Sequence, residues 1–83
     1  MIAEFYSQKD NCLKEIRKAR ELFGNRSTTE KQYTGMESAL SYMYLYCPDE
    51  IRNSVESTLQ EAEMRKPMFI RLWRKSELPK VQP

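Results

Sequence analysis

Histidine is absent from this 83-residue chain, glycine and cysteine occur twice each, and no apolar run approaches the ~20 residues that cross a bilayer. Each lack removes a class of function. Without histidine there is no Ser-His or Cys-His nucleophile pair, and the commonest general base and zinc ligand are gone. Two glycines, Gly24 and Gly35, cannot build a phosphate-cradling loop. Cys12 and Cys47 are too few for a disulfide scaffold and have no metal-ligand spacing. The carboxylates Asp49, Glu56 and Glu63 stand seven apart, ~10.5 Å along a helix, with nothing apolar between them to raise a pKa. The expectation is a non-enzyme with no catalytic, metal or cofactor residues. The N-terminus shows no basic-then-apolar leader pattern, so a cytoplasmic protein away from membranes is expected.

What is present describes a folded chain. Apolar residues make up 40% and charged ones 31%, a globular rather than disordered balance in a chain of single-domain size. The net charge of +2 conceals a gradient: residues 1–26 carry +2, residues 27–63 carry −5 and residues 64–83 carry +5.

The chain is organised around Ser27 to Cys47, STTEKQYTGMESALSYMYLYC. Ser27 and Glu30 have the spacing of a capping box, and Pro48 ends the segment. Tyr33, Met36, Leu40, Met43 and Cys47 recur at 3-4-3-4 spacing, the buried seam of an amphipathic helix. Its last turns, Tyr42-Met43-Tyr44-Leu45-Tyr46, put large side chains on every face at 100° per residue, so this end must be surrounded. Tyr42, Tyr44 and Tyr46 point three ways. Two directions can be covered from within, leaving one tyrosine, expected to be Tyr44, for a partner.

Ile2, Phe5, Lys9, Cys12, Ile16, Ala19 and Phe23 keep the same spacing over a first helix, which Gly24-Asn25 is expected to close with a left-handed cap. Lys9 and Arg20 fall inside its apolar arc and are expected to snorkel, the alternative being a carboxylate from the helix after Pro48 or from a partner. A hairpin of these two helices faces Gly35 with Ile16, permitting close approach, and keeps Cys12 and Cys47 ~12 Å apart and unbridged. Pro48-Asp49-Glu50 opens a third helix with acids at its positive end, followed by a stripe of Ile51, Val55, Leu59 and Ala62. Pro67 predicts a break before a short fourth helix carrying Phe69, Leu72 and Trp73 among Arg65, Lys66, Arg71, Arg74 and Lys75. Pro48-Asp49-Glu50-Ile51-Arg52, with Val55 and Leu59, resembles the Pro-Glu-x-Leu-Arg helix start of the theta subunit family of bacterial DNA polymerase III. That small three-helical family binds a proofreading exonuclease. The likeness covers about a dozen of 83 residues, is that of a generic helix opening, and is not adopted.

These patterns predict an all-α protein, a small three- to four-helix bundle built on an antiparallel helical hairpin, with helices near 3–23, 28–46, 49–65 and 68–75. One domain spans 1–75, and 76–83 is expected to be an extended or disordered tail. The expected function is non-catalytic binding to another protein, as a regulator or inhibitor. Small phage- or plasmid-type accessory proteins that block a host enzyme or defence complex have this profile. Tyr42, Tyr44, Tyr46, Trp73, Arg71, Arg74 and Lys75 are the partner-binding candidates, because aromatics and arginine are enriched in interface cores. A second copy of the chain is the most economical cover for Tyr42–Tyr46. The alternative is a nucleic-acid-associated helical protein, in which the basic C-terminal segment neutralises phosphates and stacks bases.

Overall fold

The computed structural model describes residues 1–77. Four helices, α1 (Ile2–Tyr6), α2 (Lys9–Gly24), α3 (Glu30–Tyr46) and α4 (Asp49–Glu77), pack on one another, and no strand occurs among the described residues. The all-α bundle read from the sequence is what forms, with three corrections to its elements.

The first helix is two. Its 3-4 spacing runs on without interruption, yet the backbone turns at Ser7 and Gln8, where Gln8 is extended at φ −90° and ψ 120°. The Ser7 hydroxyl donates to the Glu4 carbonyl at 2.7 Å, offering the backbone a local partner outside the helical ladder. Two carbonyls at the break are met by the next helix: Asn11 Nδ2 donates at 3.0 Å to Phe5, whose carbonyl also accepts from the Gln8 amide at 3.3 Å, and the Cys12 thiol donates to Tyr6 at 2.9 Å. α1 is thereby swung off the axis of α2 and lies against α2 and α3, without contacting α4.

The turn between α2 and α3 uses different residues from those expected. No residue here has a positive φ, and Asn25 follows Gly24 in extended conformation. The end of α2 is held instead by the buried Thr28, whose hydroxyl donates to the Leu22 carbonyl at 2.5 Å, and by Arg65 of α4, which donates to the Phe23 carbonyl at 3.4 Å. Asn25 Oδ1 accepts from the Ser27 amide. With Ser27 and Thr28 committed to this turn, the capping box falls on Thr29 and Gln32, not on Ser27 and Glu30.

The third correction is at Pro67. α4 does not break there but runs for 29 residues from Asp49 to Glu77, so the two helices expected at 49–65 and 68–75 are one. Pro67 is exposed, so its missing amide leaves the Glu63 carbonyl on the solvent side, where water can satisfy it. Beyond it Phe69 is fully buried, and Met68, Leu72 and Trp73 pack against the core. Their burial keeps the helix on course. The helix also takes in Ser76 and Glu77 from the expected tail; the remaining tail residues, 78–83, lie outside the described residues.

Three long helices run up, down and up. Lys9–Glu50 and Arg65–Phe23 join like ends of α2 and α4. Tyr33–Ala62, Trp73–Thr28 and Arg52–Tyr44 join opposite ends of α3 and α4. Cys12, Ile16, Ala19 and Phe23 of α2 meet Tyr33, Met36, Leu40 and Met43 of α3 and Ile51, Val55, Ala62 and Phe69 of α4 in one core. Cys12 and Cys47 are both buried and free, and burial, with Cys47 adding to it, pushes the Cys12 thiol up.

Candidate docking surface

The end of α3 is where the fold leaves apolar surface uncovered. Tyr44, expected to face a partner, is the tyrosine of the three that the chain covers itself. The Arg52 guanidinium sits 5.5 Å from its ring centre, and the same side chain donates to the carbonyls of Tyr44 and Cys47 at 3.2 Å each and pairs with Asp49. Arg52 thus satisfies the C-terminal carbonyls of α3 and stacks on the ring above them. Its pairing with Asp49, the largest influence, raises its pKa further. Tyr42 and Tyr46 stay 53% and 43% exposed, with Leu45 between them at 65%.

The connectivity adds to this patch. α2 begins at the end of the bundle where α3 finishes, as the Lys9–Glu50 pair shows, and α1 precedes α2. Ile2 and Phe5, 57% and 48% exposed, therefore join Tyr42, Leu45 and Tyr46 at one end. A stripe of Thr34, Gly35, Ser38 and Ser41 continues along the outside of α3. Between Thr34 and Tyr46 the single charged residue is Glu37, and it is turned to the side, pairing with Lys66 of α4 at 2.9 Å. In a chain 31% charged, the outer face of α3 carries no charge from Thr34 to Tyr46. Gly35 does not serve the close helix contact expected for it: a Cβ there would meet nothing within 4 Å.

The remaining candidates sit elsewhere. Arg71, Arg74 and Lys75 are exposed at the far end of α4, where the last two complement the negative end of the helix dipole. Trp73 is turned inward. Its indole N–H donates to the Thr28 carbonyl at 2.9 Å, and its ring lies 5.4 Å from Tyr33 and 5.7 Å from Phe69. The contact with Thr28 puts this group at the start of α3, roughly 27 Å along that helix from Tyr46. The candidates of the sequence thus form two separate groups. Ile2, Phe5 and Leu45 were not among them. The first two read as seam residues of one long helix, and only the break at Ser7 exposes them. Leu45 was legible as part of the five-residue run that covers every face.

Lys9 meets a carboxylate, Glu50 at 3.5 Å, in an exposed pair; Arg20 is exposed and makes no ion pair among the described residues. No buried side-chain polar atom there lacks a partner, and no three acidic or thiol side chains converge as metal ligands. No helix among them is long and apolar enough to cross a membrane. No protein family, curated protein or solved structure matches the chain.

Proposed function

We propose that this chain is a non-catalytic protein-binding module, regulating or blocking what it binds, and that it binds through the end face made by Ile2, Phe5, Tyr42, Leu45 and Tyr46. One observation carries the reading: five large apolar side chains, each between 43% and 65% exposed, gather at one end of a highly charged protein. At ~200 Å² per side chain they leave on the order of 500 Å² of apolar surface open to water. That is near the upper limit for a monomer with nothing to bind. Tyrosine and phenylalanine lose little rotamer freedom on burial, so such a face gains more from a partner than one of lysines and glutamates.

Tagged chain co-expressed with an untagged copy in its native host tests this. Mass spectrometry of what co-purifies reads both host proteins and the untagged copy. Leu45→Asp places a charge at the centre of the face without touching the core, and should remove the specific partner while leaving the helical circular dichroism signal intact. Retention of the same partners by Leu45→Asp places binding elsewhere.

A further inference from the structure

The outer face of α3 is graded in size. Its C-terminal half presents Tyr42, Leu45 and Tyr46, and its N-terminal half presents Thr34, Gly35 and Ser38. Large positions at one end and small ones at the other are what a helix needs to pack on an inverted copy of itself. We propose that this face is covered by a second copy of the same chain, through antiparallel pairing of the two α3 helices about a two-fold axis that crosses their outer faces at the level of position 40. This names the partner for the docking surface proposed above and rests on that reading.

In this register position i faces position 80−i. Leu45 of one copy lies over Gly35 of the other, Tyr42 over Ser38 and Tyr46 over Thr34, and each large residue meets a small one twice by symmetry. Gly35 then has an external reason to lack a side chain, where its own chain supplies none. A helix-interior glycine is otherwise a plain loss relative to alanine. The uncharged face also suits an isologous contact, because a two-fold axis would set any charge lying on it against its like.

The same axis accounts for α1. Inverting α3 while turning its outer face keeps the α2 sides of the two copies adjacent. α1 touches α2 and α3 but not α4, so it stands on that side, at the C-terminal end of α3. Ile2 and Phe5 of one copy therefore face the N-terminal half of the groove between α2 and α3 of the other. A shallow cleft of about 360 Å³ lies there, lined in part by Lys18, Leu22, Lys31, Gly35 and Ala39. Its lining also includes Glu15, so the two lysines leave it with a net charge of +1 toward Glu4, which is exposed on α1. The five large side chains supply roughly 500 Å² of the ~800 Å² that each partner of a standard interface buries. Thr34, Ser38, Ser41 and the cleft lining make up the rest.

Sedimentation velocity on the full chain from about 5 to about 500 µM, a range bracketing a micromolar Kd, tests the arrangement. The wild-type chain is expected to dimerise, and Leu45→Ala to weaken self-association about thirtyfold. The discriminating variant is Gly35→Leu. It favours the helix, and a Cβ there meets nothing within 4 Å in its own chain, so retained helical circular dichroism is expected, yet it collides with Leu45 of the second copy and should weaken association at least tenfold. A wild-type chain monomeric throughout the range overturns the second copy as occupant. If that monomer still captures a host protein through Leu45, the docking surface stands and only its occupant is wrong. A dimer indifferent to both variants overturns this face and register together.

Discussion

Tyr33 is the residue on which the three long helices converge. It is fully buried, its ring centre lies 4.7 Å from Phe23 and 4.8 Å from Phe69, and its hydroxyl donates to the Ala62 carbonyl. Burial, with Glu37 and Glu61 adding to it and Arg65 opposing, pushes its phenol up to about 12. An ordinary tyrosine in the unfolded chain ionises near 10. Folding thus favours the protonated form: the contribution is fully present below pH ~10 and is lost as pH rises toward 12, on the order of 2–3 kcal/mol in all. Tyr33→Phe should cost ~1 kcal/mol at pH 7 by loss of the hydrogen bond, and should flatten the decline in stability between pH 9.5 and 11.5. Tyr6 and Cys12, also raised by burial, leave a residual slope. Urea titrations at several pH values check this; an unchanged alkaline slope in the variant would show that Tyr33 is not the group responsible. The place of Tyr33 on the seam was legible from its spacing to Met36 and Leu40. Its bond to Ala62 was not, because a local period says which way a residue faces and not what it meets 29 positions away.

At the scale of elements, two local signals were outweighed in opposite directions. Pro67 carries the strongest helix-breaking signal in the chain, and α4 runs through it. An interior proline costs ~3 kcal/mol, chiefly a lost hydrogen bond and a ring clash. Here the cost is outweighed by burying Phe69 and packing Met68, Leu72 and Trp73, which dock only if the helix keeps its direction. Ser7 is the reverse case. The apolar spacing Phe5, Lys9, Cys12 passes through it, and a period of apolar residues cannot register a backbone turn whose carbonyls are recovered by Asn11 and Cys12. Pro67→Ala separates cost from benefit. It restores the amide to the ladder without altering any core residue, and should stabilise the protein by about 1–3 kcal/mol, read as a higher urea midpoint with unchanged slope. No gain, or a loss, would mean that Pro67 itself helps to seat Phe69 and Trp73. The four-helix count was thus legible only by accident of compensation, since one expected helix is two and two expected helices are one.

For the whole molecule the decisive quantity is how much stability the proposed second copy would contribute. Thirteen apolar side chains form the buried core among the described residues of this 83-residue chain, and a domain of that size is only marginally stable alone. The run Tyr42–Tyr46 was enough to reveal more apolar surface at the end of α3 than the chain covers, and Tyr42, Leu45 and Tyr46 are exposed there. That Ile2 and Phe5 join them was not legible, because the position of α1 depends on the unforeseen break at Ser7. Binding to the native state raises the melting temperature with ligand concentration, and in a homodimer the ligand is the protein. The wild-type Tm should therefore climb by about 3–5 °C for each tenfold rise in concentration above the dissociation constant. Gly35→Leu should behave differently in both respects. Replacing an interior glycine gains up to ~1 kcal/mol of helix stability, worth ~4–8 °C at this size, so the dilute variant melts above the dilute wild type. With association at least tenfold weaker, it gains nothing on concentration between the wild-type dissociation constant and its own. Plotted over that interval against the logarithm of concentration, the variant is a flat line and the wild type a rising one that closes the gap. A local helix effect alone raises the Tm of the variant but leaves the two lines parallel. Parallel lines in calorimetry would therefore remove the second copy from the account of stability, whatever the helix gained.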